Sequence, residues 1–260
     1  MITVEGDRHG PILTVDSGLG GLSVYRHIRA AFPNHRHVYI ADDDGFPYGD
    51  WEEGAFIARG LSLMADWIDT YRPSLVVIAC NTASTVWLGP LRARFEVPFV
   101  GTVPAIKPAV AATTSGMISV LATPATVRRD YTRGLIDEFA ADCDVTLVGA
   151  PCLADIAERY LKDGVVDLCA LKDEVAPVFH QRVDGVRTDT VVLACTHYPL
   201  LMPVLDDVAP WPVKWLDPGP AIARQAGRVL SHRIDGPFDE RFHATSGVDI
   251  SDVSRVFLNR

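Results

Sequence analysis

The chain has no C-x-x-C spacing, no G-x-G-x-x-G or Walker glycine pattern, no basic run and no secretory apolar core near its start. Each absence removes a class of function. Five cysteines without paired spacing give neither a zinc ribbon nor a disulfide framework, so free thiols in a reducing compartment are expected. Without the glycine patterns, dinucleotide and nucleoside-triphosphate sites have no signature. A formal net charge of −9 with no basic cluster argues against a nucleic-acid partner. One long uncharged stretch, residues 74–91, contains Asn81, Thr82, Ser84 and Pro90. It therefore reads as a buried strand, turn and helix, and no membrane span is expected. His35-Arg36-His37 has no acidic or cysteine partner at useful spacing, so it reads as surface and no metal site is expected. Residues 1–10 are polar and charged, and a cytoplasmic protein is the default.

What is present is apolar material in short pieces. Hydrophobic residues make up 48% of the 260 and charged residues 22%, ample for a large core. Runs at 12–15, 38–40, 75–79, 99–101, 118–121, 145–148 and 191–194 read as short buried strands. Amphipathic stretches at 22–31, 54–71, 127–140 and 168–182 read as helices between them. That alternation gives an α/β fold with mostly parallel sheets flanked by helices.

One internal echo stands out. Val76-Val77-Ile78-Ala79-Cys80-Asn81-Thr82 resembles Val191-Val192-Leu193-Ala194-Cys195-Thr196-His197, each an apolar strand ending in Ala-Cys and turning polar. A weaker echo pairs Leu13-Thr14-Val15-Asp16-Ser17 with Val120-Leu121-Ala122-Thr123. Two similar lobes are expected, residues 1–100 with 210–260 and residues 101–209, with the active site in the cleft between them. Ligands of open α/β sheets bind beyond the carboxyl ends of strands. Asp16-Ser17, Cys80-Asn81-Thr82, Thr123 and Cys195-Thr196-His197 all stand at such ends.

Two thiols suit one kind of chemistry in particular. Inverting an amino-acid centre requires a group on each face of the α-carbon, able to take or give a proton. A thiol titrates near pH 8.5, close enough to neutrality to serve both roles. The helix that follows Cys80 presents its N-terminus to the thiol, which favours negative charge. Cysteines also serve merely as small packing residues, and either alone fits that description. Residues two apart in extended backbone share a face, so His197 is placed beside Cys195 if the strand persists. Asp16 ends a strand near Cys80, as a charge partner or as a turn residue before Gly18-Leu19-Gly20-Gly21. The N–H groups of that turn are candidates for carboxylate binding. Phe46-Pro47-Tyr48-Gly49 reads as a turn that offers the Tyr48 hydroxyl.

Taken together, 15–24 (Val-Asp-Ser-Gly-Leu-Gly-Gly-Leu-Ser-Val), 79–84 (Ala-Cys-Asn-Thr-Ala-Ser) and 194–201 (Ala-Cys-Thr-His-Tyr-Pro-Leu-Leu) resemble the signatures of the glutamate racemases, within the aspartate/glutamate racemase family. Pro47-Tyr48-Gly49, residues 120–123, Thr126 and Thr245-Ser246-Gly247 fit the same pattern in the same order. The resemblance implies a two-lobed enzyme that needs no cofactor, neither pyridoxal phosphate nor metal. It implies interconversion of L- and D-glutamate, with D-glutamate supplied for peptidoglycan, and leaves a homodimer open. It implies that Cys80 serves the D-isomer and Cys195 the L-isomer, assisted by Asp16, His197 and Glu158. Ser17, Tyr48, Gly49, Asn81, Thr82, Thr123 and Thr196, with Asp16 and His197, would hold the substrate. Aspartate racemases resemble this pattern too but carry Glu where His197 stands.

Two departures and two competing functions remain. The family's Thr-Ala-Arg before Pro-Tyr-Gly is replaced by Asp43-Asp44-Gly45, which removes a cation and adds two carboxylates beside a substrate loop. Pro218 stands in place of a serine after Asp217. Cys195 with His197 also looks like the nucleophile–base pair of a one-cysteine hydrolase or decarboxylase. A binding protein that kept the fold without the activity is the second, and within the family an aspartate or other amino-acid racemase is the alternative to a glutamate racemase.

Overall fold

The computed structural model describes residues 10–230 and 238–259. The chain divides into two compact units, Met1–Thr102 with Gly219–Arg260, and Val103–Pro218.

The first unit is built on five parallel strands, β1 (Ile12–Asp16), β2 (Arg36–Ala41), β3 (Leu75–Ile78), β4 (Phe99–Gly101) and β9 (Asp239–Ala244), in the order β4-β3-β1-β2-β9. Its helices are α1 (Leu22–Ala31), α2 (Glu53–Tyr71), α3 (Asn81–Arg94), α10 (Gly219–Val229) and α11 (Ser251–Leu258). The two-residue side-chain period divides the strands between two cores. Leu13, Val15, Val38, Ile40, Val76 and Ile78 pack with Phe56, Met64, Ile68 and Trp87 from α2 and α3. Ile12, Leu75, Val77, Ala79 and Val100 pack with Val24, Ile28, Ile222 and Ala226 from α1 and α10. A strand covered on both faces must be apolar throughout, which is why β3 reads Leu-Val-Val-Ile and is wholly buried. Truncating Leu75 to Ala would cost about 2–5 kcal/mol by loss of transfer energy and a residual cavity.

The second unit has β5 (Met117–Ala122), β6 (Asp144–Gly149), β7 (Thr190–Leu193) and β8 (Lys214–Leu216), parallel and in the order β6-β5-β7-β8. Its helices are α4 (Ile106–Ala112), α5 (Pro124–Val127), α6 (Asp130–Phe139), α7 (Leu153–Asp163), α8 (Leu168–Val175) and α9 (Met202–Leu205). Ile118, Val120, Ala122, Val192 and Ala194 form one core with Ile106 and Ala109.

Several elements differ from the sequence reading. The return to the first unit falls after Pro218 and not near 210, because β8 hydrogen-bonds to β7. The helix expected at 127–140 is present as α6 but begins at Asp130, and a separate short helix, capped by Thr123 and opened by Pro124, ends at Val127 before it. The helix from 168 stops at Val175, since the N–H-less Pro177 follows and a 3₁₀ turn takes over. The polar edge strand β9, Asp-Glu-Arg-Phe-His-Ala, has no apolar run to announce it.

Candidate active site

In the first unit, sheet register sets neighbouring strand ends side by side. Val15 of β1 pairs with Ile78 of β3, and the Ala79 N–H donates to the Val15 carbonyl at 2.7 Å. Asp16 pairs with Ala41 of β2, and the Asp42 N–H donates to the Asp16 carbonyl at 2.7 Å. Ala41 pairs with Ala244 of β9, and the Thr245 N–H donates to the Ala41 carbonyl at 2.9 Å. Cys80, Asp16, Asp42 and Thr245 thus follow the carboxyl ends of four consecutive strands.

Cys80 is buried and caps α3 in extended conformation, with its carbonyl accepting from the Ser84 N–H at 2.9 Å. The positive end of the helix therefore lies at this residue. Asn81 opens the helix and is 3% exposed, yet neither its amide oxygen nor its nitrogen has a hydrogen-bond partner. Leaving such a group unmade costs about 1–3 kcal/mol, a stored penalty that a polar ligand would relieve. Thr82 and Ser17 are buried as well.

Asp16 has a structural task whatever else it does. One carboxylate oxygen accepts from the N–H groups of Gly18 at 3.3 Å and Gly21 at 2.7 Å. Two N–H groups of the glycine turn, expected to be open to a carboxylate ligand, are thereby given to Asp16 itself. A Cβ at Gly21 would lie 2.5 Å from the Asp16 Cβ, so only glycine lets the loop close on this side chain.

Tyr48 is buried, and its hydroxyl donates to Asp42 Oδ2 at 2.8 Å. Burial first, then the negative charges of Asp42, Cys80 and Asp16, push the phenol well above its ordinary value. With its hydrogen held by Asp42, the Tyr48 oxygen has only acceptor capacity left for a ligand. Gly49 beside it is exposed.

In the second unit, β7 ends at Leu193, so His197 does not reach Cys195 by strand alternation. A turn does it instead: the Tyr198 N–H donates to the Cys195 carbonyl at 3.1 Å and the Leu200 N–H to the His197 carbonyl at 3.1 Å. Nδ1 of His197 lies 3.8 Å from Cys195 Sγ, and its Nε2 lies 3.3 Å from Oε1 of Glu158 on α7. The other Glu158 oxygen pairs with Lys162 Nζ at 2.9 Å. Cys195, Thr196 and His197 are all buried. Tyr198 is fully buried behind them. Burial first, then the charges of Cys195 and Glu174, raise its phenol well above the ordinary value. Thr123 follows β5, the neighbour of β7, and its hydroxyl caps α5 by accepting from the Thr126 N–H at 3.3 Å.

The structure thus gathers Asp16, Ser17, Tyr48, Cys80, Asn81 and Thr82 at one sheet end, and Thr123, Glu158, Cys195, Thr196 and His197 at another. Sequence reasoning missed Asp42 and Arg59. Asp42 stood next to the departure noted at 43–45. Arg59 carried no signal, because its partner is 17 positions away on another element. The acidic departure is also resolved. Asp43 accepts from the Ser246 N–H at 2.9 Å and the Thr245 hydroxyl at 3.1 Å, and Asp44 is exposed. Among the described residues, no group of three or more His, Cys, Asp or Glu side chains is arranged to hold a metal, and no helix is long and apolar enough to cross a membrane.

The chain belongs to the Asp/Glu/hydantoin racemase family, whose model matches residues 17–226. Among its relatives is a glutamate racemase of Brucella canis, 55% identical over 235 residues, which span 90% of this chain and 83% of that protein. The fold is similar to that of Escherichia coli glutamate racemase, solved with L-glutamate and the activator UDP-MurNAc-ala. That likeness has a TM-score of 0.86 and 38% identity over 96% of this chain and 95% of the other. It is also similar to the glutamate racemase isoform RacE1 of Bacillus anthracis, with a TM-score of 0.82 and 25% identity over 98% and 96% of the two chains.

Proposed function

We propose that this protein interconverts L- and D-glutamate with Cys80 and Cys195 as its two acid/base groups. The observation that carries the reading is the repetition of one local design. In each unit a buried parallel strand runs into Ala-Cys, and an ionisable residue accompanies the cysteine. For Cys80 the neighbour is Asp16 on the adjoining strand end; for Cys195 it is His197 backed by Glu158. The names of the relatives supply the substrate.

The chemistry follows from those residues. A thiolate removes the α-proton from one face of glutamate, and the thiol on the opposite face delivers a proton to the carbanion. Cys80 acts on the D-isomer and Cys195 on the L-isomer. His197 takes or returns a proton at Cys195 and is held in orientation by Glu158. Asn81, with Ser17, Gly49, Thr82, Thr123 and Thr196, holds the polar groups of the substrate. The scheme calls on no cofactor. The D-glutamate so formed serves peptidoglycan synthesis in the cytoplasm.

Proton NMR in D₂O tests this reading. With L-glutamate and purified protein, the α-proton signal should disappear while D-glutamate accumulates. Cys195→Ala should abolish racemisation yet still exchange the α-proton of D-glutamate, through Cys80. Full turnover in that variant would sink the two-thiol scheme. Full turnover in Cys80→Ala would favour the one-cysteine enzyme, to which the Cys195–His197 contact also lends itself.

A further inference from the structure

Arg59 lies on α2, outside every motif quoted above. Its guanidinium grips the Asp42 carboxylate at two points, with Nε at 2.8 Å from Oδ2 and Nη2 on Oδ1. The Asp42 side chain is fully buried, whereas that of Arg59 is 22% exposed. The same carboxylate accepts from the Tyr48 hydroxyl at 2.8 Å, and its Oδ1 lies 3.0 Å from the Thr245 hydroxyl, whose single proton it shares with Asp43. A buried carboxylate needs a counter-charge and filled acceptor sites, and Arg59 supplies both through a fork that a lysine cannot reproduce. Hydrogen bonding to Asp42 in turn holds Arg59 above the ordinary arginine value. The guanidinium also lies 5.3 Å from the centre of the Trp51 ring, and Trp51 Nε1 donates to the Gly45 carbonyl at 2.9 Å.

Position 45 shows how tightly this place is filled. A Cβ built on Gly45 would stand 2.7 Å from Asp42 Oδ2, 2.8 Å from Arg59 Nε and 2.9 Å from the Tyr48 ring. A side chain at 45 would enter the space that Arg59 occupies. This is also the position at which the resemblance leads one to expect an arginine and the chain has none.

We propose that Arg59 is the positioning residue of the Cys80 half-site, an arginine that reaches Asp42 from α2 and so fixes Tyr48 and the substrate turn 46–49. The inference rests on the racemase reading for its kinetic consequence, but not for its structural one. Arg59 does not act on substrate directly, since its fork is engaged by Asp42. Its effect passes through Asp42 to Tyr48, whose ring belongs to the same core cluster as Cys80.

The test compares the full chain with Arg59→Ala, Arg59→Met and Arg59→Lys. Racemisation is followed in both directions, and iodoacetamide alkylation of Cys80 is followed by peptide mass. Loss of Arg59 should raise KM or lower kcat by about tenfold and change the Cys80 alkylation rate several-fold. Arg59→Lys should recover less than about threefold of that loss, because an ammonium keeps the charge but not the two-point grip on Asp42. A merely structural role would lower the melting temperature and leave KM, kcat and the alkylation rate near the parent values. If Arg59→Ala does not fold, Arg59→Met retains the aliphatic packing on Trp51 and is read in its place. Unchanged kinetics and alkylation on loss of Arg59 would overturn the proposal. Should the parent fail to racemise glutamate, the substrate reading falls, and the alkylation rates still decide the role of Arg59.

Discussion

Nδ1 of His197 lies 3.8 Å from Sγ of Cys195, the contact on which the proposed acid/base role of His197 rests. His197→Asn should lower kcat by about 10²–10⁴, the usual worth of a positioned acid/base group. Glu158→Gln keeps the shape but removes the charge behind the ring, and should cost about tenfold. Lys162→Ala should change kcat less than about twofold, because the lysine end of that ion pair is exposed and such partners contribute little. Steady-state kinetics on the three variants check the order. A Lys162 effect as large as that of Glu158 would make the lysine part of the relay.

Asn81→Ala removes a buried amide that has no partner. The free protein should melt at a temperature equal to or above that of the parent, while KM rises about tenfold. Differential scanning calorimetry without ligand, beside a KM measurement, checks both halves. A lower melting temperature with unchanged KM would show the amide to be structural.

Asp43→Ala deletes the carboxylate that holds Thr245 and Ser246. Burial raises its pKa, but the hydrogen bonds from Ser246 and Thr245 outweigh that and keep it below the ordinary aspartate value. Its contribution is therefore present above the unfolded value of 3.8 and is lost as pH falls through the lower folded one. At neutral pH the variant should melt a few degrees lower, equivalent to about 1 kcal/mol, with KM unchanged. A fall in KM would mean that the carboxylate opposes the substrate.

His37 is 1% exposed, and its Nε2 lies 2.9 Å from the Phe32 carbonyl. Burial lowers its pKa to about 4, helped by His35 and Arg29 and opposed by the hydrogen bond to Phe32. Neutral in the folded state, it takes up a proton near pH 6.5 once unfolded. Stability is thus full above pH 6.5, falls as pH drops toward 4 and levels below, by roughly 3 kcal/mol in all. Urea denaturation of the parent and His37→Gln between pH 7 and 4 checks this, and the variant should show the flatter curve. Parallel curves would assign the acid loss to other groups.

The elements were legible where one face rule held throughout. Buried parallel strands such as β3 are apolar from end to end, and the glycine turn after β1 is written in consecutive residues. Three kinds of feature were not legible. The polar edge strand β9 is stabilised by pairing with β2 and not by its own side chains. The short helix 124–127 and the stop after Val175 depend on a capping threonine and on prolines within otherwise helical patterns. The turn that brings His197 to Cys195 replaced the strand extension expected there.

The sequence by itself determined the family, the α/β class and the repeated Ala-Cys strand ends, since these are local patterns of apolarity, spacing and residue type. Tertiary structure alone decided which groups share a charge or a hydrogen bond across elements: Asp43 turned to Ser246, and Arg59 meeting Asp42. Those pairings depend on sheet register and helix placement, which bring side chains from distant positions within 3 Å and which no run of neighbouring residues encodes.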